Sequence, residues 1–232
     1  MSILPHDSHS CLGCEFKSPL FSHLSNEELE AVRKNRLSVV FNKGEIIRKQ
    51  GTHLSHIIVI STGLAKVYIE GSTGRNSIIN IVKPVTFVGG PGIFLDQIHH
   101  YSIAALIDTR VCFIDINVFK HLIDTNKQFA NNLLKNFSQI MLDIYNRLIN
   151  LTQKQMAGRM ADALIYLFED IFVSSKIDSS ISKQDLAELS GMAKESAVKV
   201  LRDFHNAGYI SISDSEILLL NIEALKRVSR TG

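Results

Sequence analysis

Two hydrophobic periods divide this chain. In residues 37–41, 46–48, 57–60, 64–69, 77–82, 86–88, 101–106 and 111–116 the apolar positions form short or alternating runs. Turn residues separate them: Asn42, Lys43 and Gly44; Gly51; Ser61, Thr62 and Gly63; the glycines Gly71 and Gly74; Pro84; and the glycines from Gly89 to Gly92. Many short strands at such spacing predict an antiparallel sandwich or barrel. From about residue 126 to about 155 the period lengthens to that of a helix. Leu133, Phe137, Ile140, Ile144 and Leu151 form one row, interrupted by Arg147, and Leu134, Met141 and Leu148 form a heptad row beside it. So broad an apolar seam can serve two surfaces, one packing on the β domain and one meeting a partner helix.

Residues 181–202 read as two short helices joined by a tight turn. Ser182 can cap the first, with Asp185 as its capping-box partner and Leu186 and Leu189 turned inward. Gly191 breaks that helix and supplies the positive φ of a helix-turn-helix corner, and Ala187 is small where the helices cross. A second helix over 193–206 would bury Ala197, Val200, Leu201 and Phe204. Lys194, Glu195, Ser196, Lys199 and Arg202 then lie off the buried stripe, where a recognition helix presents its first turns to base edges. Gly208 suits a C-terminal cap. Strands over 209–213 and 217–220, around the turn Asp214, Ser215 and Glu216, complete a winged helix, and Asn221 caps a last helix.

Composition narrows the setting. Lys and Arg number 25 against 23 Asp and Glu, for a formal net charge of +2. From Thr152 onward ten basic residues stand against eleven acidic ones, so phosphate neutralisation is modest and specificity depends on a few cations on one face. No apolar run reaches membrane-spanning length, and Pro5, His6, Asp7 and His9 do not form a signal peptide, which leads to the expectation of a cytoplasmic protein. Cys11, Cys14 and Cys112 are too few and too uneven for a secreted disulfide framework.

Barrel, long helix and winged helix, in this order, resemble the cyclic-AMP receptor protein and fumarate-nitrate regulator family of bacterial transcription factors. The resemblance spans nearly the whole chain. It rests on Phe41, Lys43, Gly44, Glu45, Ile47, Gln50 and Gly51, on Ile60, Gly63, Val67 and Gly74, and on Phe87, Val88 and Gly89. It continues in Gly158 and Arg159, and in Ser182, Gln184, Gly191, Glu195, Ser196 and Leu201. The implied fold is α+β: an N-terminal antiparallel β-roll of the cyclic-nucleotide-binding kind, a long dimerisation helix and a C-terminal winged helix-turn-helix. The implied division is an arm over 1–19, a β-roll effector domain over 20–125, the dimerisation helix over 126–156 and a DNA-binding domain over 157–232.

The resemblance also implies a homodimer on a palindromic operator, with RNA polymerase as a further partner. Glu195 and Lys199 would read base pairs, and Lys194, Ser196, Arg202, Ser182 and Lys183 would contact bases or phosphates nearby. Relatives usually carry arginine at the Lys199 position, and lysine lacks the planar fork that grips guanine twice. The segment 153–158 would let the DNA-binding domain turn, with Gly158 either a flexible point or a close-packing residue.

Control is implied by the roll. In relatives that bind cyclic AMP, a glutamate in a Phe-x-Gly-Glu pattern meets the ribose, and an arginine about ten residues later meets the phosphate. The glutamate position is Gly90, after Gly89. The arginine position is His100 or Tyr101, and no basic side chain other than histidine lies between Pro91 and His99. Where the long helix meets adenine stand Ile144 and Tyr145. Cyclic AMP is therefore not expected in the usual mode. His99 and His100 could meet an anion or a haem iron, but adjacent histidines in a polar loop are more simply solvated. Cys11 and Cys14 match the leading pair of cluster-binding relatives, and Cys112 matches their internal ligand. The third N-terminal cysteine is replaced near Leu20, so an iron-sulfur cluster or zinc site stays an alternative beside a metal-free remnant.

Two further classes remain. A cupin-type enzyme would need barrel histidines at alternating spacing, which His53 and His56 do not have, and no nearby glutamate completes a facial triad with them. A sensor acting through protein contacts alone would use the winged helix as a docking module. A non-enzymatic regulator is the expectation.

Overall fold

The structure, a computed structural model, describes residues 2–3, 18–72 and 74–232. Its contacts divide it into two compact units, one of residues up to Glu70 with Ile81–Met141, the other of Gly71–Asn80 with Leu142–Gly232.

The first unit is built on nine strands: β1 (Ser2–Ile3), β2 (Arg36–Phe41), β3 (Ile46–Arg48), β4 (His56–Thr62), β5 (Ala65–Glu70), β6 (Asn76–Val82), β7 (Thr86–Val88), β8 (Ser102–Ala105) and β9 (Thr109–Asp115), with β6 continuing into the second unit. They form two sheets, ordered β1-β2-β9-β4-β7 and β3-β8-β5-β6. Strand β4 explains the layering. Ile57, Ile58, Val59 and Ile60 are all buried, so both faces of the strand are covered. Ile57 and Val59, with Ile114, pack against a helical layer. That layer comprises Leu29 and Val32 of α1 (Asn26–Lys34), Phe119 and Leu122 of α2 (Ile116–Thr125), and Phe129 and Leu133 of α3 (Lys127–Gln153). Ile58 and Phe113, opposite one another in the register, alternate to the other face and line the interior of the roll. Phe119 joins the helical layer together, its ring stacked on Phe87 at 5.4 Å and edge-on to Phe129 at 5.3 Å.

The expected strand over 111–116 ends one residue early. Asp115 accepts from the amides of Asn117 and Val118, so Ile116 opens α2 instead of closing β9. Helices α1 and α2 were not anticipated. Each is short, and the Ser25–Glu28 capping box that starts α1 follows directly on the apolar cluster Leu20, Phe21 and Leu24.

Helix α3 is 27 residues long, within the expected span. Its two faces have different fates. Phe129 and Leu133 are buried, whereas Leu134, Met141 and Leu148 are exposed, as are Ile144 and Tyr145. The interruption at Arg147 has a structural reason. Its guanidinium donates to the Leu189 carbonyl at 3.0 Å, at the end of α5 (Lys183–Ser190), where free carbonyls and the helix dipole favour a cation.

The rest of the second unit runs α4 (Met156–Ile165), a π-helical turn over Tyr166–Ile171, β10 (Lys176–Asp178), α5, α6 (Lys194–Asn206), β11 (Ile210–Ile212), β12 (Glu216–Leu219) and α7 (Ile222–Thr231). Its sheet has three strands, ordered β10-β12-β11, where two were expected. The extra strand carries one buried side chain, Ile177, and is held by pairing across β12, so its own pattern gives little signal. Gly158 is a packing residue: a β-carbon there would come within 2.8 Å of the Gly232 carbonyl, where α4 and α7 meet. The break between α3 and α4 falls at Lys154 and Gln155.

Candidate DNA interface and effector region

The reading head forms as its residues dictate. Ser182 Oγ accepts from the Asp185 amide at 3.1 Å, and the Asp185 carboxylate accepts from the Ser182 amide at 2.9 Å, closing the capping box at the start of α5. Gly191 ends the helix at φ +63°, a conformation that costs glycine little, and Ala187 is fully buried beneath the crossing. Ala197, Val200, Leu201 and Phe204 anchor α6 in the core. Lys194, Glu195, Lys199 and Arg202 are exposed and Ser196 is partly so; Ser182 and Lys183 are exposed at the opening of α5. All seven anticipated residues thus reach the surface, five of them along one helix.

Ion pairing sharpens the charge picture. Lys154 is held by Asp162 at 2.7 Å, Lys226 by Glu169 at 2.7 Å, and Lys176 by Glu216 across the wing. These lysines lose much of their value as phosphate partners. Lys183 at the opening of α5 and Lys194, Lys199 and Arg202 on α6 have no acidic partner among the described residues, as is also true of Arg227 and Arg230 on α7, so the near-neutral domain keeps four free cations on its two reading-head helices.

In the first unit, Gly89 and Gly90 follow β7. Gly90 lies against the ring of Tyr101: a β-carbon at position 90 would stand 2.7 Å from Tyr101 Cε1. A side chain at 90 would therefore require the tyrosine ring to move. Tyr101 is buried, which pushes its phenol well up and keeps the hydroxyl protonated. His100 is exposed and within 3.1 Å of Asp96.

His99 departs from the expectation of a solvated residue. It is 3% exposed, and neither ring nitrogen has a hydrogen-bond partner. It is drawn in by its backbone, which accepts from Gly51 at 2.8 Å and donates to Thr52 at 2.9 Å. Burial first, then repulsion from Arg48, His53 and His100, lowers its pKa to about 4. The unfolded chain takes up this proton below about pH 6.5, whereas the folded chain refuses it until about pH 4. The contribution is thus neutral above that window and increasingly destabilising as the pH falls through it, by about 3 kcal/mol in all. Urea unfolding across this range should show a loss that His99→Gln lacks; parallel pH curves for the two proteins would contradict the assignment.

Sequence reasoning missed Arg48. Its guanidinium lies 4.3 Å from the centroid of the Phe113 ring, on the inner face of β9. Nothing in the run Ile46, Ile47, Arg48 marks the third residue as inward-facing, because the register shifts by a bulge between Ile46 and Arg48. Ile144 and Tyr145 belong to the second unit, half-exposed on α3. Cys11 and Cys14 lie outside the described residues. Cys112 is partly buried on β9, with Sγ accepting from Arg36 at 3.2 Å. Among the described residues, no group of three or more His, Cys, Asp or Glu side chains is arranged to hold a metal ion.

Comparison with known proteins supplies the frame. Residues 38–126 match the family model of the cyclic nucleotide-binding domain, and residues 158–228 that of the Crp-like helix-turn-helix domain. The chain is similar to a CRP-like cAMP-activated global transcriptional regulator of Mycobacterium tuberculosis, 21% identical over 218 residues that cover 92% of this chain and 97% of that one. It is similar to the transcriptional activator protein Anr of Pseudomonas protegens, 23% identical over 225 residues, 93% and 91% of the two chains. In fold it matches the crystal structure of a crp/fnr family regulator from Eubacterium rectale, with a TM-score of 0.76 and 20% identity over 91% of this chain and 98% of that one. No helix among the described residues is long and apolar enough to cross a membrane. With both family domains in order along one chain, and relatives that are regulators and not enzymes, this protein belongs to the Crp/Fnr family of DNA-binding transcription regulators.

Proposed function

We propose that the protein acts as a homodimer, joined along α3, that binds a two-fold symmetric operator through paired recognition helices and is not controlled by cyclic AMP in the usual mode. The observation that carries the dimer is the heptad row Leu134, Met141 and Leu148, exposed on α3 beside Ile144 and Tyr145. Five large apolar side chains on one long helix are costly in water and suit burial against a second copy. Two α6 helices would then meet successive major grooves, about 34 Å apart. In this reading residues 20–125 are the effector domain, 126–156 the dimerisation helix and 157–232 the DNA-binding domain. Operator binding puts the dimer where the chromosome is and within reach of RNA polymerase.

Glu195 and Lys199 are the base-reading pair, with Lys194, Ser196 and Arg202 beside them and Ser182 and Lys183 at the flanking backbone. The effector acts by state selection: it favours the packing of the roll on α3 that sets both reading heads for DNA. Selection of bound sequences from a random duplex pool, with and without oxygen, tests the reading. A palindrome with half-sites one helical turn apart is expected, and an asymmetric or absent consensus contradicts it.

One relative is named for activation by cyclic AMP, yet this roll differs where that nucleotide would be held. Tyr101 occupies the space beside Gly90 that a glutamate side chain would need, and His100 is engaged by Asp96. With no arginine or lysine from Pro91 to Tyr101, a cyclic phosphate held in the usual mode forfeits a charge-assisted bond of about 1.5–3 kcal/mol. Calorimetric titration with cyclic AMP should give no saturable heat in the micromolar range; saturation there would overturn this part of the reading.

A further inference from the structure

The apolar surface of α3 is wider than a two-stranded coil needs. Leu134, Met141 and Leu148 make one row of the seam, and Ser138, Tyr145 and Thr152, at the same heptad spacing, make the other. The flanks of that seam are then Phe137 and Ile144 on one side and Leu142 and Ile149 on the other. Flanks of a coil that runs open to water often carry Glu and Lys. Here they are apolar, and Ile144, Leu142 and Ile149 are exposed in the protomer.

One flank already carries a piece of the roll. Phe94, in the loop between β7 and β8, sets its ring edge-on to Phe137 at 6.0 Å. At about 100° per residue, Phe137 stands about 40° from Leu133 on the buried side and about 40° from Met141 on the exposed side, so the loop lies at the border of the seam. Phe94 is nevertheless 55% exposed, and Leu95 beside it 77%. The loop holds both there by its own backbone. The Leu95 amide donates to the Pro91 carbonyl at 3.1 Å, the Gln97 amide to the Gly92 carbonyl at 2.8 Å, and the Gln97 carbonyl accepts from Leu54 at 2.6 Å. Two large apolar side chains fixed in water at the edge of an open seam mark an interaction surface.

We infer that the Phe94–Leu95 tip of each roll grips α3 of a second copy of this chain, covering its outer flank at Leu142, so that the dimer joint is part coil and part roll. A two-fold axis between parallel helices sets unlike flanks against each other, so Phe137 faces Leu142 of the partner subunit, and the loop seated on Phe137 lies over it. The areas agree. A fully exposed Leu or Ile side chain presents on the order of 100 Å², and the seven exposed large apolar side chains of α3, at about half that, supply roughly 350 Å². A stable interface buries about 800 Å² per partner, of which about 500 Å² is apolar. Phe94 and Leu95 add roughly 150–200 Å², which makes up the difference. This inference rests on reading α3 as the dimer joint.

Sedimentation equilibrium of the full-length protein over a dilution series, without DNA, tests it. Leu95→Glu and Leu142→Glu should each raise the dimer dissociation constant by about tenfold or more. Leu95→Lys and Leu142→Glu together in one chain place opposite charges across the axis and should recover most of what Leu142→Glu alone loses. Leu220→Glu, an equally exposed site beyond β12, should change nothing. Leu95 and Leu142 are both on the surface of the protomer, so neither substitution reaches its core. A dimer that Leu148→Glu separates and Leu95→Glu leaves at full strength overturns the grip and keeps α3 as the joint. A wild-type monomer overturns both, and a combined variant no stronger than Leu142→Glu overturns the pairing of loop and flank.

Discussion

Leu148→Glu separates the dimer and lowers operator affinity by at least about a hundredfold. Leu148 is 59% exposed on α3, so the substitution leaves the protomer's own core untouched. In the proposed coil it faces its symmetry mate, and a two-fold axis doubles every change. Burying a leucine there contributes about 1.5–3 kcal/mol per copy, and a pair of facing carboxylates reverses the sign. Operator binding by monomers forfeits the linkage of two half-sites, which multiplies affinity by about a hundredfold or more. Sedimentation velocity reads the first effect and fluorescence anisotropy on a selected duplex the second. A variant still dimeric and still bound removes α3 as the joint. Leu133→Glu makes the contrast, since Leu133 is buried in the protomer's core and its loss should unfold the first unit.

Glu195→Ala relaxes operator choice at one position of each half-site and leaves the dimer intact. Glu195 is exposed in the first turn of α6, away from the anchors Ala197, Val200 and Leu201, so no packing is lost. A correctly read base pair is worth about 1–3 kcal/mol, and two half-sites double that to about 2–6 kcal/mol. Lys199→Ala should act one turn further along the same helix. Because part of its role is charge, it should weaken all sequences as well as the cognate one and reduce the dependence on salt. Repeating the pool selection with each variant separates the two cases. An unchanged consensus for Glu195→Ala takes that residue out of the reading role.

The second half of the chain was legible almost residue by residue. A capping box, an αL glycine and a buried stripe on α6 are local signals, fixed by backbone geometry within a few residues, and Ser182, Asp185, Gly191 and Phe204 took the places their chemistry gave them. The roll was legible as an architecture but not as a site. Strand β10 exists by pairing with β12, α2 begins where Asp115 happens to cap it, and the inward turn of Arg48 depends on a bulge set by its partner strand. The burial of His99 is likewise imposed from elsewhere, by the Gly51 and Thr52 backbone, and two adjacent histidines in sequence do not tell which one faces in. Even the near-neutral charge of the DNA-binding domain was misleading without pairing, because Asp162 holds Lys154 across the break between α3 and α4, Glu169 holds Lys226 far along the chain and Glu216 holds Lys176 across two strands.

The central claim is that two copies of α6, fixed by one dimer, read two grooves on the same side of a duplex. Its most direct measurement is affinity for the selected operator after about five base pairs are inserted between the half-sites, which turns one half-site to the opposite face of the helix. A rigid two-fold dimer loses about a hundredfold in affinity on that duplex and recovers much of it when about ten base pairs are inserted. Equal affinity for all three spacings would mean that the two reading heads act independently.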